Sequence, residues 1–297
     1  MMFEKRNTNY RYMLNIANVL IEIHAEQPVE ISKEFEPFIC EQENANIVVD
    51  FRKVDDLETP AAAPILSTTI FKVYESQNAF CHIYYDPKEK DCAYAMSKIL
   101  SDNYEIVQYI KDRVSFFYCM FNIFAYISFE DIMIRNKAMI LHAAFIRSEY
   151  GGILFSGPSG IGKSTQADLW NKYCNAEILN GDRTIIREVD DMWRAYGSPY
   201  AGSSKYYKNQ SAEIRCIVLL EQSEKCTICR LSSTDAFVGL YAEMIVNTWN
   251  SVYIEELTEI LYKMVMCVPV YRFRCCKNRE AVSFLKKYLD KEETDGE

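Results

Sequence analysis

One short run of residues, 157–164, constrains the fold of this chain more than any other part of it. The run is Gly-Pro-Ser-Gly-Ile-Gly-Lys-Ser, which matches the pattern G-x-x-x-x-G-K-[ST]. An apolar stretch that predicts a strand, 153–156, precedes it, and the pattern at 163–173 predicts a helix directly after it. A strand, a glycine-rich turn and a helix in this order are typical of an α/β domain whose turn binds phosphate groups.

The glycines of this run, which we call the phosphate loop, explain why it suits an anion. Gly157, Gly160 and Gly162 can adopt positive φ angles, which lets backbone N–H groups converge on anionic oxygens. The helix that follows directs the positive end of its dipole at the same point. Lys163 is placed to reach the β- and γ-phosphates of a nucleotide, and the Ser164 hydroxyl to ligate Mg²⁺. We therefore expect ATP and Mg²⁺ as cofactors, held by Gly157, Pro158, Ser159, Gly160, Ile161, Gly162, Lys163, Ser164 and Thr165.

A magnesium ion at a phosphate loop also needs a nearby carboxylate, and an acidic residue at the end of an adjacent strand would supply it. The candidates close to predicted strands are Asp182, Glu188, Asp190, Asp191 and Glu221. Hairpin-turn chemistry explains Asp190 and Asp191 without any function, and Glu188 is expected on an exposed strand face. We favour Asp182, which follows a short apolar strand soon after the helix, and predict Ser164 and Asp182 as the metal ligands.

The rest of the sequence predicts a mixed α/β fold in two parts. Residues 1–111 contain runs of β-branched and aromatic residues and predict a strand-rich N-terminal domain of unknown function. Residues 112–297 form the predicted P-loop domain, which opens with a long helix at 113–136. Predicted hairpins are frequent in this part, which favours a mixed, partly antiparallel sheet over a regular Rossmann array. The strand predicted at 227–231 is expected to pair with the one at 214–220.

Composition and charge narrow the range of partners. The net charge is −9 and the sequence has no basic stripe, so nucleic acid is not expected as a main partner. The longest uncharged stretch, 114–129, is shorter than the roughly 20 residues of a membrane-spanning helix, and no signal-peptide pattern opens the chain. We expect a cytoplasmic protein without a membrane partner, and leave a homo-oligomer open.

The cysteines are numerous but do not form a recognisable metal site. There are 11 of them, an odd number, which favours reduced and mostly buried thiols. Cys226 and Cys229 have the spacing of a metal or redox pair. A zinc site would need a second such pair, which Cys275 and Cys276 do not provide. We therefore expect no metal site at the cysteines.

Further motifs surround the phosphate loop. They are Leu-His-Ala-Ala at 141–144, Asn-Gly-Asp-Arg at 180–183 and Ala-Tyr-Gly-Ser-Pro-Tyr-Ala-Gly at 195–202. Together with the loop, the first two resemble the C-terminal domain of HPr kinase/phosphorylase. The whole set, including the third, is similar to HPr-kinase-like proteins encoded beside ribosomal peptide clusters, among them lasso-peptide kinases. The resemblance covers residues 137–202 by motif and the rest of the chain by element order, while the N-terminal third has no matching motif.

This resemblance implies a fold related to phosphoenolpyruvate carboxykinase, with ATP and Mg²⁺ at the loop. It also implies transfer of a phosphoryl group to a serine of a protein or peptide, with Lys163, Asp182 and His142 as the catalytic residues. One position departs from the family, which carries two adjacent aspartates where this chain has Gly181-Asp182. The family's later signature for phosphorylase activity is also absent, so HPr itself and the reverse reaction are not expected.

The missing aspartate leaves the chemistry open. Either Asp182 performs both tasks, or another group activates the acceptor hydroxyl, or the protein binds nucleotide without turning it over quickly. Three functions therefore stay open: a protein or peptide serine kinase, a small-molecule kinase, and a non-catalytic nucleotide-binding regulator or ATPase. The intact Lys163 and Ser164 favour catalysis. The segment 200–208, with Lys205 and Lys208, could cover the γ-phosphate or the acceptor, or be a plain surface loop.

Overall fold

The chain folds into two compact units, each built on a mixed β-sheet. The computed structural model describes residues 10–76, 79–86, 88 and 92–294. The units are Met1–Arg135 and Asn136–Glu297. Within the described residues each unit contains an eight-stranded sheet with few helices, so the fold is mixed α/β. None of the helices described is both long enough and apolar enough to span a bilayer.

The first unit is dominated by strands. They are β1 (Tyr10–Ile16), β2 (Val19–Ala25), β3 (Ile47–Val54), β4 (Leu66–Ser67), β5 (Phe71–Ser76), β6 (Ala79–Tyr85), β7 (Ala93–Ser101) and β8 (Tyr104–Ile110). Their order in the sheet is β1-β2-β3-β8-β7-β6-β5-β4. The β2–β3 and β3–β8 pairs are parallel and the others are antiparallel. Short 3₁₀ turns at Glu36–Phe38 and Lys111–Phe116 and two helices, α1 (Met120–Phe124) and α2 (Phe129–Arg135), complete this unit.

The prediction of one long helix at 113–136 is wrong. The structure has the 3₁₀ turn at Lys111–Phe116 followed by the two short helices, because the backbone between them pairs with Glu30 instead of continuing a helix. The Glu30 N–H donates to the Tyr118 carbonyl and the Met120 N–H donates to the Glu30 carbonyl at 2.8 Å. Cys119, held between these bonds, has extended dihedrals.

The division between the units falls after Arg135, beyond the boundary at 111/112 that the sequence suggests. Residues just after that boundary pack on the strands of the first unit. The ring of Phe117 stacks on Tyr109, with centroids 4.3 Å apart. The backbone N–H of Ser128 donates to the buried carboxylate of Glu105 at 3.0 Å. These contacts explain why the segment before α2 belongs with the N-terminal sheet.

The second unit carries the phosphate loop. Its strands are β9 (Ala138–Ser148), β10 (Gly151–Ser156), β11 (Glu177–Asn180), β12 (Arg183–Val189), β13 (Met192–Tyr196), β14 (Ser211–Gln222), β15 (Thr227–Arg230) and β16 (Val270–Cys275). Its helices are α3 (Lys163–Cys174), α4 (Ser233–Tyr241), α5 (Ser251–Cys267) and α6 (Arg279–Thr294). The strand order is β10-β9-β12-β13-β14-β16-β15, with β11 on β9 and a further pairing of β10 with β14. Strand β10 therefore closes a circuit of strands with β9, β12, β13 and β14.

Pairing in this unit is both parallel and antiparallel, as the frequent hairpins predicted. Strand β14 is parallel to β10 and to β16. The prediction that 227–231 pairs with 214–220 is wrong, because β16 already occupies that edge of β14 over residues 217–222. The chain instead crosses the end of β16, where the Ser223 N–H donates to the Cys275 carbonyl at 3.0 Å. Strand β15 then pairs antiparallel with the outer edge of β16.

The helix that follows the phosphate loop is fixed by an apolar core. Ala167 and Trp170 on the inner face of α3 are buried with Phe155 of β10, Val218 of β14 and Leu285 of α6. Removing a fully buried Trp side chain costs roughly 3–5 kcal/mol in general. This packing holds the first turn of α3 at a fixed place relative to the ends of β10 and β14.

Candidate active site

The phosphate loop connects β10 to α3 through a turn that only glycine adopts easily. Gly157, Gly160 and Gly162 have φ angles of 137°, 78° and 121°, a region that L-residues with side chains rarely occupy. Helix α3 begins at Lys163, directly after the last of these glycines. The end of the strand and the start of the helix are where the sequence pattern indicates, while β10 begins at Gly151, two residues before the predicted strand.

The outer side of the loop is held by two residues that sequence reasoning did not select. Gln222, at the end of β14, donates through Nε2 to the carbonyls of Gly160 and Ile161, both at 3.3 Å. Lys277, in the turn before α6, places its Nζ 3.5 Å from the Gly160 carbonyl. Both side chains engage carbonyl groups of the loop rather than its N–H groups, and Lys277 adds one positive charge beside it.

Lys163 is the central cation of the site. Only 7% of the residue is exposed, and its Nζ donates to the carbonyls of Gly157 at 2.7 Å and Pro158 at 3.2 Å. Burial lowers the pKa of Lys163, and the nearby carboxylates of Glu243 and Asp182 oppose that shift. A buried ammonium group at the N-terminus of a helix is suited to an anionic ligand.

Asp182 and His142 meet beside this lysine. Asp182 lies in the turn between β11 and β12, where its N–H donates to the side-chain oxygen of Asn180 at 2.9 Å. His142 lies on β9, directly opposite Arg183 of β12. The register brings His142 Nε2 to 3.1 Å from Asp182 Oδ1. The antiparallel pairing of β9 and β12 is therefore what joins two motifs that are 40 residues apart in the chain.

Glu243 is a further acidic residue at this place, and sequence reasoning missed it. Its Oε2 lies 3.7 Å from His142 Nδ1, and 12% of its side chain is exposed. Burial raises the pKa of the Glu243 carboxyl, while Lys163 and His142 lower it. Glu243 belongs to a turn after α4 and to no motif, so only its position in the fold identifies it.

The other carboxylates considered from the sequence lie in different contacts. Glu221 forms ion pairs with Arg272 and Arg274 at 3.1 and 2.7 Å. Asp190 and Asp191 form the tip of the β12–β13 hairpin, with φ angles of 51° and 61° that such a turn requires. Hairpin geometry therefore accounts for both of them, and Glu188 is exposed on the same hairpin.

The segment around 200–208 packs closely against Asp182. A Cβ atom on Gly202, whose φ is +57°, would lie 2.8 Å from Asp182 Cγ. The side chain of Ser204 fills the space that a Cβ atom on Gly181 would need. The Lys208 ammonium forms an ion pair with Glu177 at 2.7 Å. Of the two lysines in this segment, Lys208 is therefore not directed to the phosphate loop.

The side chains next to the loop fit a magnesium ion by their chemistry. Mg²⁺ prefers oxygen ligands and is usually bound by one or two carboxylates together with substrate phosphates. The exposed Ser164 hydroxyl in the first turn of α3 and the half-buried Asp182 carboxylate are ligands of this kind.

Cys226 contacts Cys276, with the two sulfur atoms 3.9 Å apart, and not Cys229. Across the described ranges, no cluster of three or more His, Cys, Asp or Glu residues could hold a metal.

Comparisons with known proteins give little further support. No family model matches the chain, and no curated protein matches it. Among solved structures, it is similar to the HPr(Ser) kinase/phosphatase from Coxiella burnetii, with 13% identity and a TM-score of 0.32. That match covers 53% of this chain and 94% of the other. Similarity of this size carries no argument about fold or function, and the site is therefore assigned from the contacts of the chain itself.

Proposed function

We propose that this protein is an ATP-dependent kinase that transfers the γ-phosphoryl group to a serine hydroxyl of a protein or peptide. One observation carries the proposal. The buried Lys163 at the end of the phosphate loop donates to the loop carbonyls and is close enough to Asp182, the partner of His142, for the two charges to interact. Phosphoryl transfer depends mainly on positioning and charge neutralisation. A phosphate-binding cation, a carboxylate and an imidazole are groups that can perform these two tasks.

The loop and helix α3 would bind the nucleotide. Backbone N–H groups between Gly157 and Ser164 and the positive end of the α3 dipole would hold the phosphates. Lys163 would leave its loop carbonyls for the β- and γ-phosphate oxygens, which are stronger acceptors. Ser164 and Asp182 would hold Mg²⁺, which neutralises charge on the phosphates when bound.

The remaining groups would act on the acceptor. The serine oxygen forms a bond to the γ-phosphorus, the bond from phosphorus to the oxygen of ADP breaks, and the hydroxyl proton passes to the Asp182 carboxylate. His142, at 3.1 Å from Asp182, would keep that carboxylate oriented. That the acceptor is a serine of a protein or peptide rests on the motif resemblance alone.

The 11 free thiols support a reducing, cytoplasmic location.

A second candidate, a non-catalytic nucleotide-binding regulator or slow ATPase, is favoured by one observation. The related kinases have an aspartate at the position of Gly181, and here Ser204 fills the space for its side chain. A small-molecule kinase would use the same loop and differ only in the acceptor.

Labelled ATP separates these functions. The protein is incubated with Mg²⁺ and γ-labelled ATP, with and without peptides that contain serine. Acid-stable, alkali-labile label on a peptide supports the kinase, and phosphate release independent of any acceptor supports the ATPase. Lys163→Ala should abolish either activity, and Lys172→Ala, an exposed lysine of the same helix, is the matched control. Nucleotide binding without transfer or hydrolysis would overturn the kinase proposal in favour of the regulator.

A further inference from the structure

We infer that Glu243 is the second carboxylate of this site, a positioning residue that acts through His142. The inference rests on the proposed function, because it assigns a role within the same phosphoryl-transfer site. His142 lies between two carboxylates, with Nε2 3.1 Å from Asp182 Oδ1 and Nδ1 3.7 Å from Glu243 Oε2. Each ring nitrogen therefore faces a different carboxylate, the one to Asp182 within hydrogen-bond distance and the one to Glu243 at the longer range of an electrostatic contact.

The backbone fixes Glu243 in this place. Its carbonyl accepts the His142 N–H at 3.0 Å, and the N–H of Ile245 donates to the Ile140 carbonyl at 3.0 Å. Met244, between them, forms an isolated bridge with Leu141. The turn after α4 thus runs along β9 like a short added strand, which fixes the backbone of Glu243 next to His142.

The Glu243 carboxylate is largely buried, and burying a charged group costs free energy. A carboxylate that is 12% exposed loses much of its hydration, which is costly unless a cation or donor compensates it. The groups that compensate Glu243 are Lys163 first and His142 second. In turn, Glu243 is the largest of the charges that sustain the protonated form of Lys163, ahead of Asp182. Its charge is therefore directed at the two residues that the proposed reaction uses.

Residue 181, next to Asp182, supplies no carboxylate because it is a glycine. With Ser204 filling the space beside Gly181, a second carboxylate cannot reach the site from that turn. Glu243 supplies one from the opposite side of the imidazole. The charge of Glu243 near Nδ1 favours the ring orientation in which Nε2 contacts Asp182 Oδ1, which leaves Oδ2 for Mg²⁺ and the acceptor hydroxyl. Deleting the charge of Glu243 would loosen the ring and misplace the Asp182 carboxylate.

Two substitutions test this role. Glu243→Gln keeps the shape of the side chain and removes its charge, and Glu243→Asp keeps the charge. We expect Glu243→Gln to lower kcat roughly 10- to 100-fold, the scale of a misplaced reacting group, with little change in the KM for ATP or in Tm. Glu243→Asp should recover part of that loss. Glu255→Gln, on the exposed face of α5, should leave kcat unchanged.

A readout independent of transfer separates the inference from the proposed function. The chain has only three histidines, His24, His82 and His142, so His142→Gln identifies the ring signals of His142 in ¹⁵N spectra. Glu243→Gln should shift the Nδ1 signal of His142 and leave the other two rings unchanged. If the ring shifts but the wild-type protein transfers no phosphoryl group, the proposed function fails and the contact stands. If transfer is intact and Glu243→Gln alters neither kcat nor the ring signal, the inference is overturned. A joint fall of kcat and Tm without recovery in Glu243→Asp would also overturn it, in favour of a purely structural role.

Discussion

The side chain of Ser204 occupies the space that a Cβ atom on Gly181 would need. Its hydroxyl also donates to the Ala201 carbonyl at 2.7 Å, which closes the turn over Gly181. The glycine is therefore required by the packing of the neighbouring segment. The kinases that the motifs resemble carry two adjacent aspartates at this place, and in this chain Gly181 is matched by Ser204, which fills the space.

This relationship predicts the outcome of restoring the aspartate. Gly181→Asp must displace Ser204 and its turn, so we expect a loss of about 1–3 kcal/mol in the free energy of unfolding, the usual cost of overpacking. Transfer should fall with it. The double variant Gly181→Asp/Ser204→Gly removes the clash and should regain stability. Urea denaturation and a transfer assay on both variants check this, and faster transfer by Gly181→Asp alone would contradict the packing argument.

Asp182 should be the acidic residue whose charge matters most for transfer. Asp182→Asn keeps the shape and removes the charge, and we expect transfer to fall by a factor of ~100 or more, as for loss of a positioned acid–base group. Asp190→Asn and Asp191→Asn are the controls, since Asn accepts the positive φ angles of that hairpin as readily as Asp. Full activity in Asp182→Asn together with loss of activity in Glu221→Gln would show that the wrong carboxylate was chosen.

The stability of the first unit should depend on pH through His82. Burial lowers the pKa of His82 to about 4 in the folded protein, against about 6.5 in an unfolded chain. Between these values the unfolded chain binds a proton that the folded state does not, so stability is full above pH 6.5 and falls as the pH drops towards 4. The loss attributable to this group is at most about 3.5 kcal/mol, at roughly 1.4 kcal/mol for each unit of pKa.

His82→Gln should remove that part of the pH dependence. Hydrogen exchange of peptides from β6, measured in urea at pH 4.5 and 6.5, reports the first unit. All the tryptophans, Trp170, Trp193 and Trp249, lie in the second unit, so their fluorescence serves as the internal control. An identical pH dependence in wild type and variant would show that His82 does not titrate in this way.

The sequence predicted those parts of the fold whose signals are local. The phosphate loop and the helix after it are fixed by glycines and by the periodicity of residues 163–173, which act over a few positions. The Asp190–Asp191 turn between β12 and β13 follows equally from local chemistry. The same locality explains why the residue pattern alone places Lys163 and Ser164 in the first turn of α3.

The features that could not be predicted from the sequence depend on contacts between segments that are distant in the chain. The segment 113–136 is apolar enough for a helix, but Glu30 interrupts it by pairing with Cys119. The partner of β15 is decided by β16, which comes about 40 residues later and occupies the edge of β14 that β15 would need. Glu243 reaches His142 only because the turn after α4 lies along β9. Each of these contacts joins two segments that are distant in the chain, and the residues of one segment alone do not predict it.

The phosphate loop should bind a nucleoside triphosphate through Lys163. Calorimetric titration of MgATP into the wild-type protein, into Lys163→Ala and, as the control, into Lys172→Ala measures this binding. A charge-assisted hydrogen bond to phosphate contributes about 1.5–3 kcal/mol, so Lys163→Ala should weaken binding roughly 10- to 100-fold while Lys172→Ala binds as the wild type does. Equal affinity of Lys163→Ala and the wild type for MgATP, or no binding by the wild type, would show that the loop does not bind the nucleotide through Lys163.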